Sequence, residues 1–220
     1  DRLVNRGTIT GSVYLGYGAN TVTNAGTIGS DDNATAYYSY TSSLATNTFT
    51  NYEVVNNVKT SGIVHGFIAF GRGDDRFFGG ENAEKVWSGA GDDDVTLAGG
   101  DDLFLADETF GLGASTARDT IDGGDGSDTY DAFNLPPALT ANAVSGGAVI
   151  NIDTVKHTVG APFSGQTAAI AAGPGIARGE AVGIDRIFNF EHVIATDNDD
   201  VVFGNALANI IRGMGASDIA

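Results

Sequence analysis

From Phe77 to Phe104 an apolar residue recurs every nine positions, as Phe77, Val86, Val95 and Phe104. That interval fits neither the ~3.6-residue period of a helix nor the two-residue alternation of a long strand. Read in nine-residue windows from Phe70, the chain gives FGRGDDRFF, GGENAEKVW, SGAGDDDVT and LAGGDDLFL without a gap. Position 8 is the apolar one, and position 6 carries Asp75, Glu84, Asp93 and Asp102. The phase breaks across 106–113 and resumes with ASTARDTID (114–122) and GGDGSDTYD (123–131), which place Asp119 and Asp128 at position 6 and Ile121 and Tyr130 at position 8. ATDNDDVVF and GNALANIIR repeat the pattern near the end, with Asp200 and Asn209 at position 6 and Val202 and Ile211 at position 8. A unit this short predicts a tight turn followed by a strand that buries one side chain.

Glycines stand at positions 2 and 4 as Gly71, Gly73, Gly89, Gly91, Gly124 and Gly126, and at position 4 alone as Gly100. They open backbone angles closed to other residues, so the turn can curl with its carbonyls inward. With two windows per coil, equivalent turns fall 18 residues apart and stack, Asp75 over Asp93 and Glu84 over Asp102. Asp102 pairs with Asp119 if 106–113 forms a shortened half-coil. Stacked carboxylates repel unless a cation lies between them, and a cage of carbonyl and carboxylate oxygens suits a hard ion of calcium's size. The expected ligands are Gly71, Gly73, Asp75, Glu84, Gly89, Gly91, Asp93, Gly100, Asp102, Asp119, Gly124, Gly126, Asp128 and Asp200. Sites are expected to be weaker or empty at GGENAEKVW (Asn82, Glu84), at LAGGDDLFL (no glycine at position 2) and at ASTARDTID (no turn glycine). Asn209 carries no charge to attract an ion.

GGDGSDTYD and SGAGDDDVT resemble the nonapeptide GGxGxDxUx of repeats-in-toxin (RTX) calcium-binding proteins. The segment 182–218 resembles the way such arrays restart after a spacer. The resemblance implies a parallel β-roll with calcium in its stacked turns, and type I secretion of a chain that folds outside the cell. The fold class expected is therefore all-β, a right-handed parallel β-solenoid.

Residues 7–22 align without gaps to 62–77, so that Gly7, Gly11, Gly16 and Gly18 fall on Gly62, Gly66, Gly71 and Gly73, and Asn20 falls on Asp75. Asn5-Arg-Gly-Thr-Ile is echoed at Asn24-Ala-Gly-Thr-Ile. The N-terminal part thus reads as the same coil with asparagine replacing the acids, stacking through amides rather than metal. Its NxGTIxG pattern resembles autotransporter-like β-helix repeats. The organisation expected is 1–61 as metal-free coils with an insertion at 31–61, 62–131 as the calcium-binding block, 132–181 as an irregular spacer with a short helix at its Ala-Ile-Ala-Ala run, and 182–220 as a second block.

Composition sharpens this picture. Of 220 residues, 28 are Asp or Glu and 11 Lys or Arg, for a net charge of −17. Such a surface repels nucleic acid and anionic lipid. There is no cysteine, so neither disulfides nor thiolate metal sites are available. No apolar run approaches the ~18 residues of a membrane span. With Asp1 first and GMGASDIA last, the sequence reads as an internal piece whose export signal lies elsewhere. HExxH, GxSxG and P-loop motifs are absent, and His65, His157 and His192 lack metal-ligand spacing, so no enzyme is expected. Trp87 and the cluster Tyr37, Tyr38 and Tyr40 are a conceivable sugar-stacking surface, although packing along the solenoid suits Trp87 better. The function expected is a secreted, calcium-binding structural module of a surface-layer, adhesin or filament protein. It would self-associate at the cell surface, with surface polysaccharide a possible partner. The alternatives are the export and folding module of a secreted enzyme, or a polysaccharide-active β-helix.

Overall fold

The computed structural model describes residues 1–39, 44–106, 115–134, 136, 146–161 and 168–220. It is all-β with mostly parallel sheets, compatible with a β-solenoid. The chain passes alternately between two long sheets, as the nine-residue period requires. Arg76–Phe78 lies in the first sheet, Lys85–Trp87 in the second, Asp94–Thr96 in the first and Leu103–Leu105 in the second. Arg76 pairs with Asp94, and Lys85 with Leu103, both in parallel. The coil is therefore two windows long, as expected.

The position 8 side chains fill the space between the sheets. Phe77, Val86, Phe104, Ile121 and Tyr130 are fully buried, Val95 and Val202 nearly so, all in one continuous core. Aromatic rings continue that core along the stack, with Phe104 on Tyr130 and Tyr130 against Phe190.

The break in phase is resolved differently from expectation. No half-coil separates the paired strands, because Asp94–Thr96 pairs directly with Thr120–Asp122, and Leu103–Leu105 with Thr129–Asp131. The extra residues fall between Leu105 and Thr120, and of these 107–114 lie outside the described residues. Asp102 consequently stacks on Asp128 rather than Asp119, and Asp119 on Asp93.

In the N-terminal part, Asn5 pairs with Asn24 in the first sheet, and Thr8–Ile9, Thr27–Ile28 and Ile63–Val64 form a small third sheet. Residues 31–61 are less irregular than expected. Thr35–Tyr38 joins the second sheet and Thr48–Thr50 the first, while Tyr52–Val55 and Val58–Ser61 form an antiparallel hairpin. Asn56 and Asn57, at φ 51 and 65, make its tight turn, since asparagine tolerates the left-handed region.

The spacer is also built of strands. Val149–Asn151 and Ile176–Gly179 both enter the first sheet, the latter antiparallel to its neighbours on either side. Ile170–Ala172, where a short helix was expected, is a strand pairing with His157–Val159. Gly173 and Pro174 follow at once, and a run this short cannot repay the cost of helix nucleation. The second sheet meanwhile runs unbroken from Val13–Tyr14 to Ile210–Arg212, so the two nonapeptide blocks share one stack on that face.

Candidate functional site: two columns of buried carboxylates

Each position 6 residue ends a turn just before a strand, and parallel pairing stacks these residues into columns. In the column before the first sheet, each backbone N–H donates to the side chain of the next coil. Asn20 N donates to Asn47 Oδ1 (3.2 Å), Asn47 N to Asp75 Oδ1 (2.6 Å), Asp75 N to Asp93 Oδ1 (2.6 Å), Asp93 N to Asp119 Oδ1 (2.9 Å) and Asp119 N to Asp185 Oδ1 (3.3 Å). In the column before the second sheet, Glu84 N donates to Asp102 Oδ1 (2.6 Å), Asp102 N to Asp128 Oδ1 (2.9 Å) and Asp128 N to Glu191 Oε2 (2.9 Å). A shorter column joins Ala148 N to Asp200 Oδ1 (2.5 Å) and Asp200 N to Asp218 Oδ1 (3.1 Å). The three aspartates of GDDD divide their work. Asp92 accepts from Arg118 N on the exposed side, Asp93 enters the buried column, and Asp94 points outward from its strand.

Seven of the expected carboxylates, Asp75, Glu84, Asp93, Asp102, Asp119, Asp128 and Asp200, are at most 2% exposed. One oxygen of each accepts a hydrogen bond, and the second oxygen separates them into two groups. Asp75 Oδ2 accepts from Gly71 N (3.4 Å), Asp119 Oδ2 from Ser88 Oγ (3.2 Å) and Asp200 Oδ2 from Thr196 N (2.9 Å). Glu84 Oε2, Asp93 Oδ2, Asp102 Oδ2 and Asp128 Oδ2 are buried with no partner. A carboxylate oxygen left so in a protein interior is costly. Burial accordingly pushes Asp75 and Asp128 up to about 6, Glu84 to about 7 and Asp102 to about 8, and Asp93 and Asp185 well above the usual carboxylate range. Neighbouring carboxylates add to the effect at Asp102, where Glu84, Asp128 and Asp101 all repel its charge.

The turn glycines sit where the coils touch. A Cβ at Gly89 would lie 2.0 Å from the Gly71 carbonyl oxygen, and one at Gly126 would lie 1.7 Å from that of Gly100. Gly89, Gly91, Gly100, Gly124 and Gly126 have φ between 92 and 150. Gly71 and Gly73 do not have positive φ, so the first turn of the block lacks the left-handed form expected of it. The best-formed step is Asp102 over Asp128, where two unpartnered oxygens are flanked by Gly100, Gly124 and Gly126. Among the described residues no three acidic, imidazole or thiol side chains converge on one point, so an ion there would need turn carbonyls to complete its shell. Glu84 and Asp93 each add one unpartnered oxygen. Asp119 and Asp200, whose oxygens are engaged by protein groups, do not fit a ligand role equally well.

Ala98 occupies position 2 of its window with φ 78. Left-handed backbone costs a residue with a Cβ roughly 1–2 kcal/mol, and glycine's extra unfolded-state freedom offsets about half of that. Ala98→Gly is therefore expected to raise the melting temperature by a few degrees, since about 1 kcal/mol moves a chain of this size by roughly 2–4 °C. A thermal melt that leaves Tm unchanged or lowered would count against the turn geometry.

Sequence reasoning missed Asp185 and Glu191, which extend both columns. The Asp185 window keeps only Gly183 at position 4 and the Glu191 window has no turn glycine, but each acid stands two residues before a buried aliphatic, Ile187 and Val193, and that spacing was the available signal. Asp185 is held by the Tyr130 hydroxyl at 2.5 Å. The proposed sugar surface does not hold together. Trp87 is buried against Ala69 and Leu105, Tyr37 is in the core and Tyr38 is half-buried, while Tyr40 lies outside the described residues. The histidines stay apart: His65 faces Asp32 (2.9 Å), His157 faces Asp153 (2.8 Å) and His192 faces Ser127 (2.8 Å). Asn209 bonds within its own turn and to Glu191 O.

No protein-family model matches the chain. A search of curated proteins likewise returned no match.

Proposed function

We propose that this chain is a calcium-loaded structural module, a right-handed parallel β-solenoid that folds outside the cell as part of a surface-layer, adhesin or filament protein. One observation carries the proposal: four buried carboxylate oxygens without partners, all at position 6 of the repeat, at Glu84, Asp93, Asp102 and Asp128. A divalent cation between turns would partner them and remove the repulsion along each column. Asp102 and Asp128, and then Glu84 and Asp93, would supply the side-chain ligands, and the turns at 71–74, 89–92, 98–101 and 124–127 the carbonyls. Calcium's contribution would be conformational, because a ligand that binds only the folded state stabilises it. Rods of this kind, edged by exposed strands, would assemble side by side or end to end.

The N-terminal coils suggest a conservative test. Asn20 and Asn47 already occupy the column that Asp75 continues, so asparagine keeps the backbone hydrogen bond of the ladder. The Asp102→Asn/Asp128→Asn chain is expected to remain folded in excess calcium and to lose the strongest binding event in isothermal titration calorimetry. An affinity drop of about tenfold or more corresponds to loss of one charge-assisted contact. An unaltered calcium isotherm would remove this step from the proposal.

A further inference from the structure

The one place where the first sheet abandons its parallel repeat also holds a cavity. Ile176–Gly179 runs antiparallel between Gly183–Phe188 and Val149–Asn151. The turns that this reversal needs, around Asp153 and around Gly175, close over the end of Gly183–Phe188 and leave a cleft of about 310 Å³. Gly183–Phe188 alternates strictly, with Asp185 and Ile187 buried while Ile184, Arg186 and Phe188 face out. Phe188 is 40% exposed, and the Arg186 guanidinium lies 5.6 Å from its ring centroid. Among the described residues Arg186 forms no ion pair, in a chain with 28 acids to 11 bases. Its strand neighbours are Thr120 and Ile176, neither of which can neutralise it.

The rim is built with some strain. Asn189 has φ 55, and Gly175 has φ 56 with its Cβ direction 2.5 Å from the Ile187 carbonyl oxygen, so no other residue fits that turn unaltered. Backbone held off its preferred angles at the mouth of a cavity is often tied to use. Asn189 Nδ2 is anchored to Asp122 Oδ1 (2.7 Å), and the Asp153 carboxylate is held by His157 (2.8 Å) and Thr154 N (2.6 Å). The cleft thus presents an aromatic face, a fork of guanidinium donors and carboxylate and amide acceptors, on supports that are already fixed.

We infer that this cleft, lined by Phe188, Arg186, Asp153 and Asn189, binds a neutral saccharide. A sugar ring offers an apolar C–H face for Phe188 and hydroxyl groups that both donate and accept, which matches donors and acceptors presented side by side. An anionic ligand would meet Asp153, Asp122 and the field of a chain whose net charge is −17. The volume is at the low end of the ~300–1,000 Å³ range of ligand sites, so it takes one or two sugar units of a longer glycan rather than a long stretch of it. The inference does not depend on the metal reading, because none of these residues belongs to the proposed calcium turns.

The test is amide NMR of the folded chain in calcium, titrated at millimolar concentration with maltose, cellobiose and N-acetylglucosamine, and separately with benzoate. At least one saccharide is expected to shift the amides of Gly175, Arg186, Phe188 and Asn189. Phe188→Ala and Arg186→Met, both at exposed positions and checked for an unchanged circular dichroism spectrum, are each expected to weaken that binding by roughly tenfold. Shifts from benzoate alone, saccharide shifts located elsewhere, or binding that survives both substitutions would each overturn the assignment.

Discussion

In chelator, the stability of this chain is expected to fall as pH rises, and in calcium it is expected to rise. The sign follows from the buried columns. Asp75 and Asp128 are raised to about 6, Glu84 to about 7 and Asp102 to about 8, principally by burial. In the unfolded chain the same groups titrate near pH 4. A carboxyl with a raised folded value binds its proton more tightly when folded. Its contribution to stability is complete below about pH 4 and is lost as pH climbs through the folded values, roughly pH 6 to 8. Without metal the chain is therefore most compact in mild acid and expands at neutral pH as the columns ionise. Calcium reverses the slope, because it binds the ionised form and competes with the proton. Melts at about pH 4.5, 6 and 8 in EGTA and in calcium would read this directly. Parallel pH profiles in the two conditions would show that the carboxylates are indifferent to the ion.

Gly126→Ala is expected to destabilise the folded, calcium-bound chain by about 3 kcal/mol, combining left-handed strain with overpacking. Gly126 has φ 150, and the added Cβ would lie 1.7 Å from the Gly100 carbonyl oxygen of the coil below. Both atoms belong to backbone at the closest approach between two turns, so neither can swing aside as a side chain would. Gly11→Ala is the control, because Gly11 has no positive φ and nothing lies within 4 Å of its Cβ direction. Chemical denaturation in calcium should separate the two variants by most of that 3 kcal/mol estimate. Equal midpoints would mean that the turns do not stack in van der Waals contact.

Much of this was legible because the repeat is short and its side chains have distinct jobs. One apolar residue per window forced the alternation between sheets, and the spacing placed Asp75 over Asp93 and Glu84 over Asp102. The gapless match of 7–22 to 62–77 likewise found true equivalents, with Asn20 and Asp75 in one column, separated by Asn47. What periodicity could not settle was how a break is bridged. A loop that leaves the coil and a half-coil that stays in it cost similar residue counts, and only the pairing of Val95 with Ile121 tells them apart. The spacer was opaque for a related reason. Strands such as Ile170–Ala172 are three residues long and take their conformation from a partner, not from local propensity. Asp185 and Glu191 were hidden because the turn before Asp185 keeps only Gly183 and the turn before Glu191 has no glycine, although their acid-x-aliphatic spacing persists. Nor could spacing show which carboxylates would find a protein partner. Ser88 reaches the second oxygen of Asp119 and Thr196 that of Asp200, while Oδ2 of Asp102 and Oδ2 of Asp128 find none.

The most direct measurement is far-UV circular dichroism of the chain in EGTA at neutral pH, titrated with calcium and, separately, with magnesium. A calcium-specific gain of strand signal is the expected result, because the turns are oxygen-rich and flexible, and magnesium demands a tighter octahedral shell. A chain already folded in EGTA, whose spectrum neither ion changes, would contradict the claim that the buried carboxylates are calcium ligands.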